Sequence, residues 1–520
     1  MIRNFTVIQI TILCLCLVIS SKDADYLRLH REARILVLGA GMSGVSTAKA
    51  LHDAGYKNIL MLEATSRIGG RIKHERLGNY TVELGAMWIY GKGSNPVYNM
   101  AKRHNISYTD NFLDDWTVRD ENGNDVTGAA DIAYSKLQDA LTNTSDLIHE
   151  AEDDFTVLAG LRNSDWSPKS EVDDVIETYL LDFETGMPPS TLSGKKLHLH
   201  DTFEDFRNYD MMAVKHETGF TDIVKGLLES FMSEEDSRLM FNNTVELIEH
   251  GDYSVRVYTD NGGMFEADFV VATFSLGVLQ QREVQFSPPL PPKKQLAIDM
   301  FGFCRFTHIY IQFPHSFWDE TMYILRASKI RGHFSCWQNM NTIYPGSNIL
   351  QLSLFGDDAT WVDRSTDDGV IQEVLDVLQS LYPNVNIPKP SGFKVSRWNT
   401  DPLTRGAFSY WPTGFTDENM KDLQAPVGRL FFAGEHLDPL HYGFVHGAYR
   451  SGQRTAEDLI QCIENPSKCV HHGHQMTKRL QCLDEAADGC ISNGTSVLTS
   501  TFKIVSCLLV TVILYFTSIF

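Results

Sequence analysis

The amino-acid sequence predicts an α/β protein built on a Rossmann-like βαβ unit near its N-terminus. Three observations carry this prediction: an apolar strand over 35–38, a glycine-rich turn over 39–44, and a second apolar strand over 59–62 that ends at Glu63. Four apolar residues between a charge and a glycine are typical of a parallel strand covered on both faces. Together these elements indicate a dinucleotide-binding unit rather than a chance glycine turn.

The turn between the strands has the spacing Gly-x-Gly-x-x-Gly and leads into a predicted helix over 45–54, which Gly55 ends. Such a turn lets the backbone approach a pyrophosphate at the helix N-terminus. The turn residues predicted to bind the dinucleotide are Gly39, Gly41, Met42, Ser43 and Gly44. Glu63 stands where a carboxylate takes ribose hydroxyls, and its charge would repel the 2′-phosphate of NADP.

Length and charge limit the possible functions. A chain of 520 residues exceeds what one hydrophobic core usually supports, so two domains are expected. The formal net charge of -21 argues against nucleic acid as a partner, because phosphates need a basic surface. An acidic protein suits a cationic substrate, although acidity also serves solubility.

Both ends of the chain carry targeting patterns. Arg3, an apolar run over 7–19 and small polar residues after it predict a signal peptide over 1–21. A membrane anchor is the alternative, but a span takes about 20 apolar residues. At the other end, small residues, a polar spacer and a charge-free tail predict a glycolipid-anchor signal over 494–520. A C-terminal transmembrane helix remains the alternative for this tail.

Cysteines and glycosylation sequons agree with secretion. The cysteines outside the terminal segments are Cys304, Cys336, Cys462, Cys469, Cys482 and Cys490. The last four predict a disulfide-stapled extension over 466–493 with open connectivity. The histidines at 471, 472 and 474 lie between these cysteines and suggest a metal site, but we favour a polar surface loop between disulfides. The sequons begin at Asn79, Asn105, Asn143, Asn242 and Asn493.

The segment after the second strand indicates FAD rather than NAD. Glu63-Ala64 leads into Arg67-Ile68-Gly69-Gly70-Arg71, and Arg71 can reach the cofactor phosphates as a charged fork. Near the C-terminus, a strand over 430–433 is followed by Gly434-Glu435, a turn that can offer a carboxylate to FAD. Gly447 is predicted to open a helix over 448–463 whose free N–H groups face the flavin.

Motifs in this order resemble the flavin-containing monoamine and polyamine oxidase family across most of 34–465. Besides the glycine turn, they are Val82–Trp88, Val270–Thr273 with Ser275–Leu279, Arg397–Trp398 with Gly406–Ser409, Phe431–His436, and Gly443–Ala448. The secreted polyamine oxidases look most similar, at 408–412 and 446–449.

The resemblance implies a Rossmann-like FAD-binding domain over 30–105, 213–295 and 405–465, interleaved with an α+β substrate domain of the amine oxidase type over 106–212 and 296–404. The proline-rich run over 287–292 supports one boundary, because it cannot form a regular element; a ligand for a partner module is the alternative. Further FAD-binding residues implied are Ala64, Gly85, Ala86, Met87, Trp88, Val245, Trp398, Gly434, Glu435, Phe444 and Val445.

The family reaction removes a hydride from the carbon beside a neutral amine nitrogen; the imine hydrolyses, and oxygen becomes hydrogen peroxide. The catalytic positions implied are Phe408 and Phe444 as aromatic walls, Glu184 as an acid for a cationic nitrogen, Tyr90 and His308. The residues fit an oxidase of a polyamine-like secondary amine. An oxidase of amino acids or peptidyl amines, and a surface flavoprotein with little turnover, are the alternatives.

Three of these positions depart from the polyamine oxidase pattern. Phe444 replaces a tyrosine, Tyr90 stands where plant-type relatives have an acid, and His308 replaces a lysine that holds a water near the flavin. We expect a protonated His308 to take over the lysine's role and to make flavin reoxidation depend on pH near neutrality. The competing interpretation is that His308 only fills the lysine's space.

Overall fold

The computed structural model describes residues 32–197 and 211–465. The predicted signal peptide, the cysteine-rich extension and the anchor signal lie outside these ranges.

Strands β1–β22 follow one another along the described chain. They span Ile35–Leu38, Ile59–Leu62, His74–Leu77, Tyr80–Glu83, Trp88–Tyr90, Tyr108–Asn111, Trp116–Arg119, Met211–Val214, Leu239–Met240, Val245–His250, Val255–Thr259, Met264–Ala267, Phe269–Ala272, Gln285–Ser287, Gly302–Phe303, Phe306–Gln312, Tyr323–Arg326, Cys336–Asn339, Ile349–Phe355, Gly392–Val395, Ser409–Tyr410 and Leu430–Phe432.

Helices α1–α13 span Met42–Asp53, Pro96–Arg103, Thr127–Glu150, Val157–Asn163, Glu171–Glu177, Phe183–Thr185, Thr221–Glu229, Leu276–Gln280, Pro292–Met300, Gly356–Arg364, Asp367–Leu381, Asp417–Gln424 and Val445–Glu464. A π-helix over Thr178–Asp182 precedes α6, and a 3₁₀ turn over Glu435–Leu437 follows β22. None of the helices in the described ranges is long and apolar enough to cross a membrane.

The Rossmann-like prediction is confirmed by a parallel five-stranded sheet in the order β22-β13-β1-β2-β9. Strands β1 and β2 have the bounds that the sequence predicts. Ile35 of β1 lies in register with Ile59 of β2 and Phe269 of β13. Helices α1 and α13 cover one face, where Ser46 Oγ donates to the carbonyl of Tyr449 at 2.7 Å. The N-terminal and C-terminal parts of the described chain therefore form one sheet and one helix layer.

Helix α1 begins three residues before the predicted start, because Gly41 is its N-cap and the following residues are already helical. Gly39 and Gly44, at the start of this helix, are required for steric reasons. Gly39 has φ +108°, and a Cβ on Gly44 would lie 2.0 Å from the carbonyl oxygen of Gly39. Only glycine at both positions lets the turn fold this tightly against the helix.

A second large sheet has six strands in the order β20-β16-β19-β18-β17-β7. Strand β16 is buried along nearly its whole length and pairs antiparallel with β19 and β20. Helices α3–α6 and the π-helix share a hydrophobic core with this sheet. The strands of this sheet come from 116–119 and 306–395, the segments expected in the substrate domain.

Residues 288–291 of the proline-rich run are irregular, as predicted, whereas Ser287 ends β14 and Pro292 takes the first helical position of α9. The exact domain boundaries stay a prediction.

Candidate active site

A cavity of about 730 Å³ lies at the carboxyl ends of the parallel strands. Gly39 follows β1, Glu63 follows β2, Thr273 follows β13 and Glu435 follows β22, and all of them line the cavity. In an open α/β sheet this edge is where ligands bind. The volume is in the usual range for cofactor and substrate pockets.

At one end of the cavity, the glycine turn presents backbone donors. Gly39, Gly41, Met42 and Ser43 line the cavity, and α1 starts with no side-chain cap and no acidic residue in its first turn. The N–H groups at a helix start need partners, and their partial positive charge favours an anion. A pyrophosphate fits this end.

Glu63 is buried and oriented by backbone donors. Its carboxylate accepts from the N–H of Ala40 at 2.8 Å, and from the N–H and hydroxyl of Thr65 at 2.9 and 2.7 Å. These bonds hold the carboxylate at the cavity wall, where the sequence places a ribose-binding acid.

The Glu63→Gln variant is expected to retain FAD more weakly, because it loses a charged hydrogen bond worth about 1.5–3 kcal/mol. That corresponds to an increase of about 10-fold to 150-fold in the Kd for FAD. The ratio of flavin to protein absorbance after dialysis measures it, with Glu229→Gln on the exposed face of α7 as the control. Equal flavin content in the two variants would contradict the assignment.

Arg71 and Glu435 form an ion pair between the N-terminal and the C-terminal FAD-binding motifs. Arg71 Nη1 donates to Glu435 Oε1 at 2.8 Å and to the carbonyl of Ala407 at 2.9 Å. The other oxygen of Glu435 accepts from the hydroxyl of Ser409 and from the N–H of Gly443. Burial alone would raise the pKa of Glu435, but the charge of Arg71 and the hydrogen bonds from Ser409 and Arg71 act together with the charge of His436 to lower it. Arg71 and Glu435 both line the cavity, and their mutual bond is an addition to the predicted roles toward FAD.

The C-terminal helix α13 begins at Val445, and the prediction that Gly447 opens it is wrong. Phe444 is the extended N-cap, with φ −107° and ψ 154°, so Gly447 lies in the first turn. A Cβ there would lie 1.9 Å from the carbonyl oxygen of His441, which explains the glycine. The start of α13 has no side-chain cap, and its first residue, Val445, lines the cavity. The first N–H groups of α13 therefore face the cavity, as the sequence predicts.

Aromatic side chains form another part of the cavity lining, here called the aromatic end. The Phe306 ring centroid lies 5.4 Å from that of Phe408, and the Trp88 centroid lies 5.8 Å from that of Phe183. The Tyr90 and Phe444 rings also line the cavity and meet edge to face at 4.9 Å. Such walls pack against methylene chains and attract a cationic nitrogen to their faces.

Glu184 is the acid within this aromatic end. Its carboxylate has no hydrogen bond or ion pair with any residue in the described ranges, and it lines the cavity beside Phe183. Burial raises its pKa to about 7. A carboxyl group without a partner in a low-dielectric pocket gains most from a bound cation.

His308 lines the cavity from the central part of β16. Burial lowers its pKa to about 4, and no acid lies close enough to oppose this effect. Gln351 Nε2 bonds to His308 Nδ1 at 3.0 Å. Burial thus opposes the expected protonation of His308, and its role in flavin reoxidation stays a prediction.

The cavity brings together every predicted site residue except two. Gly44 and Gly434 do not line it. Gly44 permits the turn against Gly39, and a Cβ on Gly434 would lie 2.4 Å from the ring of His436. The remaining predicted FAD-binding residues, Ala64, Gly85, Ala86, Met87, Val245 and Trp398, all line the cavity.

The sequence analysis does not identify many other lining residues, among them Asn95, Phe183, Phe306, Tyr410, Tyr442 and Lys196. Two of them carried a usable signal. Phe306 stands two residues before His308 and so shares its face of the strand, and Phe183 is adjacent to Glu184. The others reach the cavity only through the tertiary fold.

The donors and the volume fit a flavin dinucleotide. Two uncapped helix starts, an oriented carboxylate and an arginine line one continuous cavity with an aromatic end. When bound, FAD supplies the acceptor for the hydride and passes the electrons to oxygen. Fold and site thus define a flavin-dependent oxidase of amines.

Comparison with known proteins gives the family. The sequence matches the family model described as flavin containing amine oxidoreductase over residues 42–460, so the chain belongs to that family. It is 32% identical to polyamine oxidase 1 of Zea mays over 463 residues, which cover 84% of this chain and 92% of that protein. It is also 32% identical to polyamine oxidase 6 of Oryza sativa subsp. japonica, over 83% of this chain and 91% of that protein.

A solved structure of a putrescine oxidase double mutant, redesigned in its cofactor binding, has the same fold. Its TM-score is 0.65 at 19% identity, and the match covers 82% of this chain and 99% of that one. The predicted family, fold class, FAD cofactor and FAD-dependent amine oxidation are confirmed.

Proposed function

We propose that this protein oxidises a polyamine-like secondary amine. The observation that carries the proposal is Glu184, a carboxylate without a partner among the described residues, in the aromatic end of the cavity. A substrate with a second, cationic nitrogen would bind its ammonium group there and would stabilise the ionised carboxylate. The similarity to polyamine oxidases of Zea mays and Oryza sativa supports the same substrate class.

The residues around Glu184 would orient the reacting part of the substrate. The ammonium on Glu184 fixes one end, and the rings of Phe408 and Phe444 hold the methylene chain and exclude water from the carbon to be oxidised. The reacting nitrogen must be neutral, whereas the nitrogen bound at Glu184 carries the positive charge. This distribution of charge favours a substrate with one charged and one neutral nitrogen.

Peroxide release from the purified protein tests the proposal. The substrates are spermine, spermidine, acetylated polyamines, monoamines and amino acids, each at matched concentration. Turnover fastest with a polyamine or its acetylated form supports the proposal. Preference for amino acids or peptidyl amines would replace it, and absence of peroxide with every amine would favour the flavoprotein of low turnover.

We further propose that the chain enters the secretory pathway and is held at the cell surface by a glycolipid anchor. The terminal sequence patterns support this, and so do the sequons within the described ranges, since Asn79, Asn105, Asn143 and Asn242 are all exposed. Cys462 is disulfide-bonded, which suits an oxidising compartment. Release from cells by an anchor-cleaving phospholipase is expected. Mass spectrometry that finds Phe520 on the mature membrane-bound protein would instead identify a transmembrane tail.

A further inference from the structure

His308 lies in a buried polar row that crosses the six-stranded sheet. Ser353 is its direct cross-strand neighbour on β19, and Gln351 lies diagonally beside it, in register with Tyr310. Gln351 and Ser353 are each 1% exposed. On the backbone side, the N–H of His308 donates to the hydroxyl of Ser396 at 2.8 Å, which fixes the backbone at this position of the strand.

The hydrogen bonds of Gln351 determine which ring nitrogen carries the proton. Its Nε2 group has two hydrogens, and it lies 2.7 Å from Ser353 Oγ and 3.0 Å from His308 Nδ1. With both hydrogens donated, Nδ1 must act as the acceptor. A neutral imidazole that accepts at Nδ1 carries its proton at Nε2, and the ring lines the cavity.

Within the part of the chain that the structure describes, the groups around the ring offer no counter-charge. Trp88, Phe306 and Tyr310 pack against it at centroid distances of 5.9, 5.3 and 6.2 Å, and Tyr310 is the titratable one. Its hydroxyl is occupied in a bond to the carbonyl of Glu83 at 2.7 Å, and burial keeps its pKa well above the usual value. Gln351 is therefore the polar side chain that decides the state of the ring.

We propose that Gln351 is a positioning residue that fixes His308 as the neutral Nε2–H tautomer and so presents the cavity with a hydrogen-bond donor that carries no charge. The inference rests on the assignment of the cavity as the site of amine oxidation. A neutral donor can hold a water in the cavity as a cation would, but it stabilises developing negative charge less. It also keeps the same protonation state across physiological pH.

The test compares Gln351→Glu with Gln338→Glu. Gln338 lies directly opposite Gln351 on β18 and is equally buried, but it bonds to Asn111 and not to His308. Long-range proton–nitrogen NMR of histidine-labelled holoprotein, without amine, reports the tautomer. The His308 signal is identified by its loss in His308→Gln.

The wild-type protein and Gln338→Glu are expected to show the Nε2–H form at pH 7. Gln351→Glu is expected to show a protonated Nδ1, because a carboxylate can only accept from it. The flavin absorbance should be constant from pH 5.5 to about 8.5 in the wild type, a range that brackets the ordinary histidine pKa of about 6.5, and should titrate in Gln351→Glu.

If Gln351→Glu fails to fold, Gln351→Met keeps the length of the side chain and should give a mixture of tautomers. An Nδ1–H or doubly protonated His308 in the wild type would overturn the proposal, and so would a signal that Gln351 variants leave unchanged. Because no amine is present, this failure is separate from a failure of the peroxide assay.

Discussion

The Arg71→Met variant is expected to lose about 3–5 kcal/mol of folding stability, because it leaves the Glu435 carboxylate buried without its positive partner. Glu435 links the C-terminal motif to Ser409 and Gly443, so both parts of the cavity wall should loosen and FAD content should fall. Denaturant unfolding and the flavin-to-protein ratio measure the two effects. The control is Arg256→Met, which removes an exposed ion pair and should stay within about 0.5 kcal/mol.

A double-mutant cycle separates loss of the pair from a general disturbance. Arg71→Met combined with Glu435→Gln should be less destabilised than the sum of the single variants, since the second change removes the uncompensated charge. Additive effects would contradict the pairing. The pH gives a second check. Because the pKa of Glu435 is lowered in the folded protein, its stabilisation is present above the unfolded pKa and is lost as the pH falls. The deficit of Arg71→Met should therefore shrink in acid.

The Glu184→Gln variant is expected to act more slowly on polyamines yet to be more stable at alkaline pH. Loss of a charged hydrogen bond to the substrate, worth about 1.5–3 kcal/mol, should lower kcat/KM by about 10-fold to 150-fold, mainly through KM. The control is Glu171→Gln, at an exposed position on α5. Equal kcat/KM in the two variants would remove Glu184 from the substrate site.

The stability gain follows from the raised pKa of Glu184. The folded protein holds this proton up to about pH 7, whereas the unfolded chain releases it near 4.5, so stability falls as the pH rises through that window. Glutamine has no such proton, and Glu184→Gln should be more stable than the wild type above pH 7 by up to about 3 kcal/mol. The gain is measured without amine by denaturant unfolding at pH 5 and pH 8. A difference that does not grow between these pH values would contradict the raised pKa of a carboxylate that has no partner among the described residues.

The parts of the site that the sequence predicted are those set by local backbone requirements. The strands before Gly39 and Glu63 are continuous apolar runs, and the glycine turn has its own steric logic, so spacing alone located the cofactor end. The start of α13 was misplaced because Gly447 looked like a helix boundary. It is a glycine for a different reason, its contact with the carbonyl of His441.

The charges of His308 and Glu184 in the aromatic end of the cavity could not be predicted in the same way. His308 was expected to be charged because an isolated imidazole titrates near neutrality. The neutrality proposed for it depends on burial beneath Trp88 and on Gln351, which stands 43 residues further along the chain. Among the described residues, Glu184 has no hydrogen-bond or ion-pair partner. This too is a property of the assembled cavity, because the residues around Glu184 come from distant parts of the sequence.

The parallel sheet that joins the first and last described strands also sets the timing of cofactor loading. The glycine turn at 39–44 leaves the ribosome roughly 400 residues before Val445, and both line the cavity. At a synthesis rate of about 5–20 residues per second, the phosphate-binding end would wait roughly 20–80 s for the other wall. During that interval β13 lacks its neighbour β22, and α1 lacks the cover of α13. A nascent chain stalled before residue 430 should therefore bind no FAD and should expose an apolar sheet edge to chaperones.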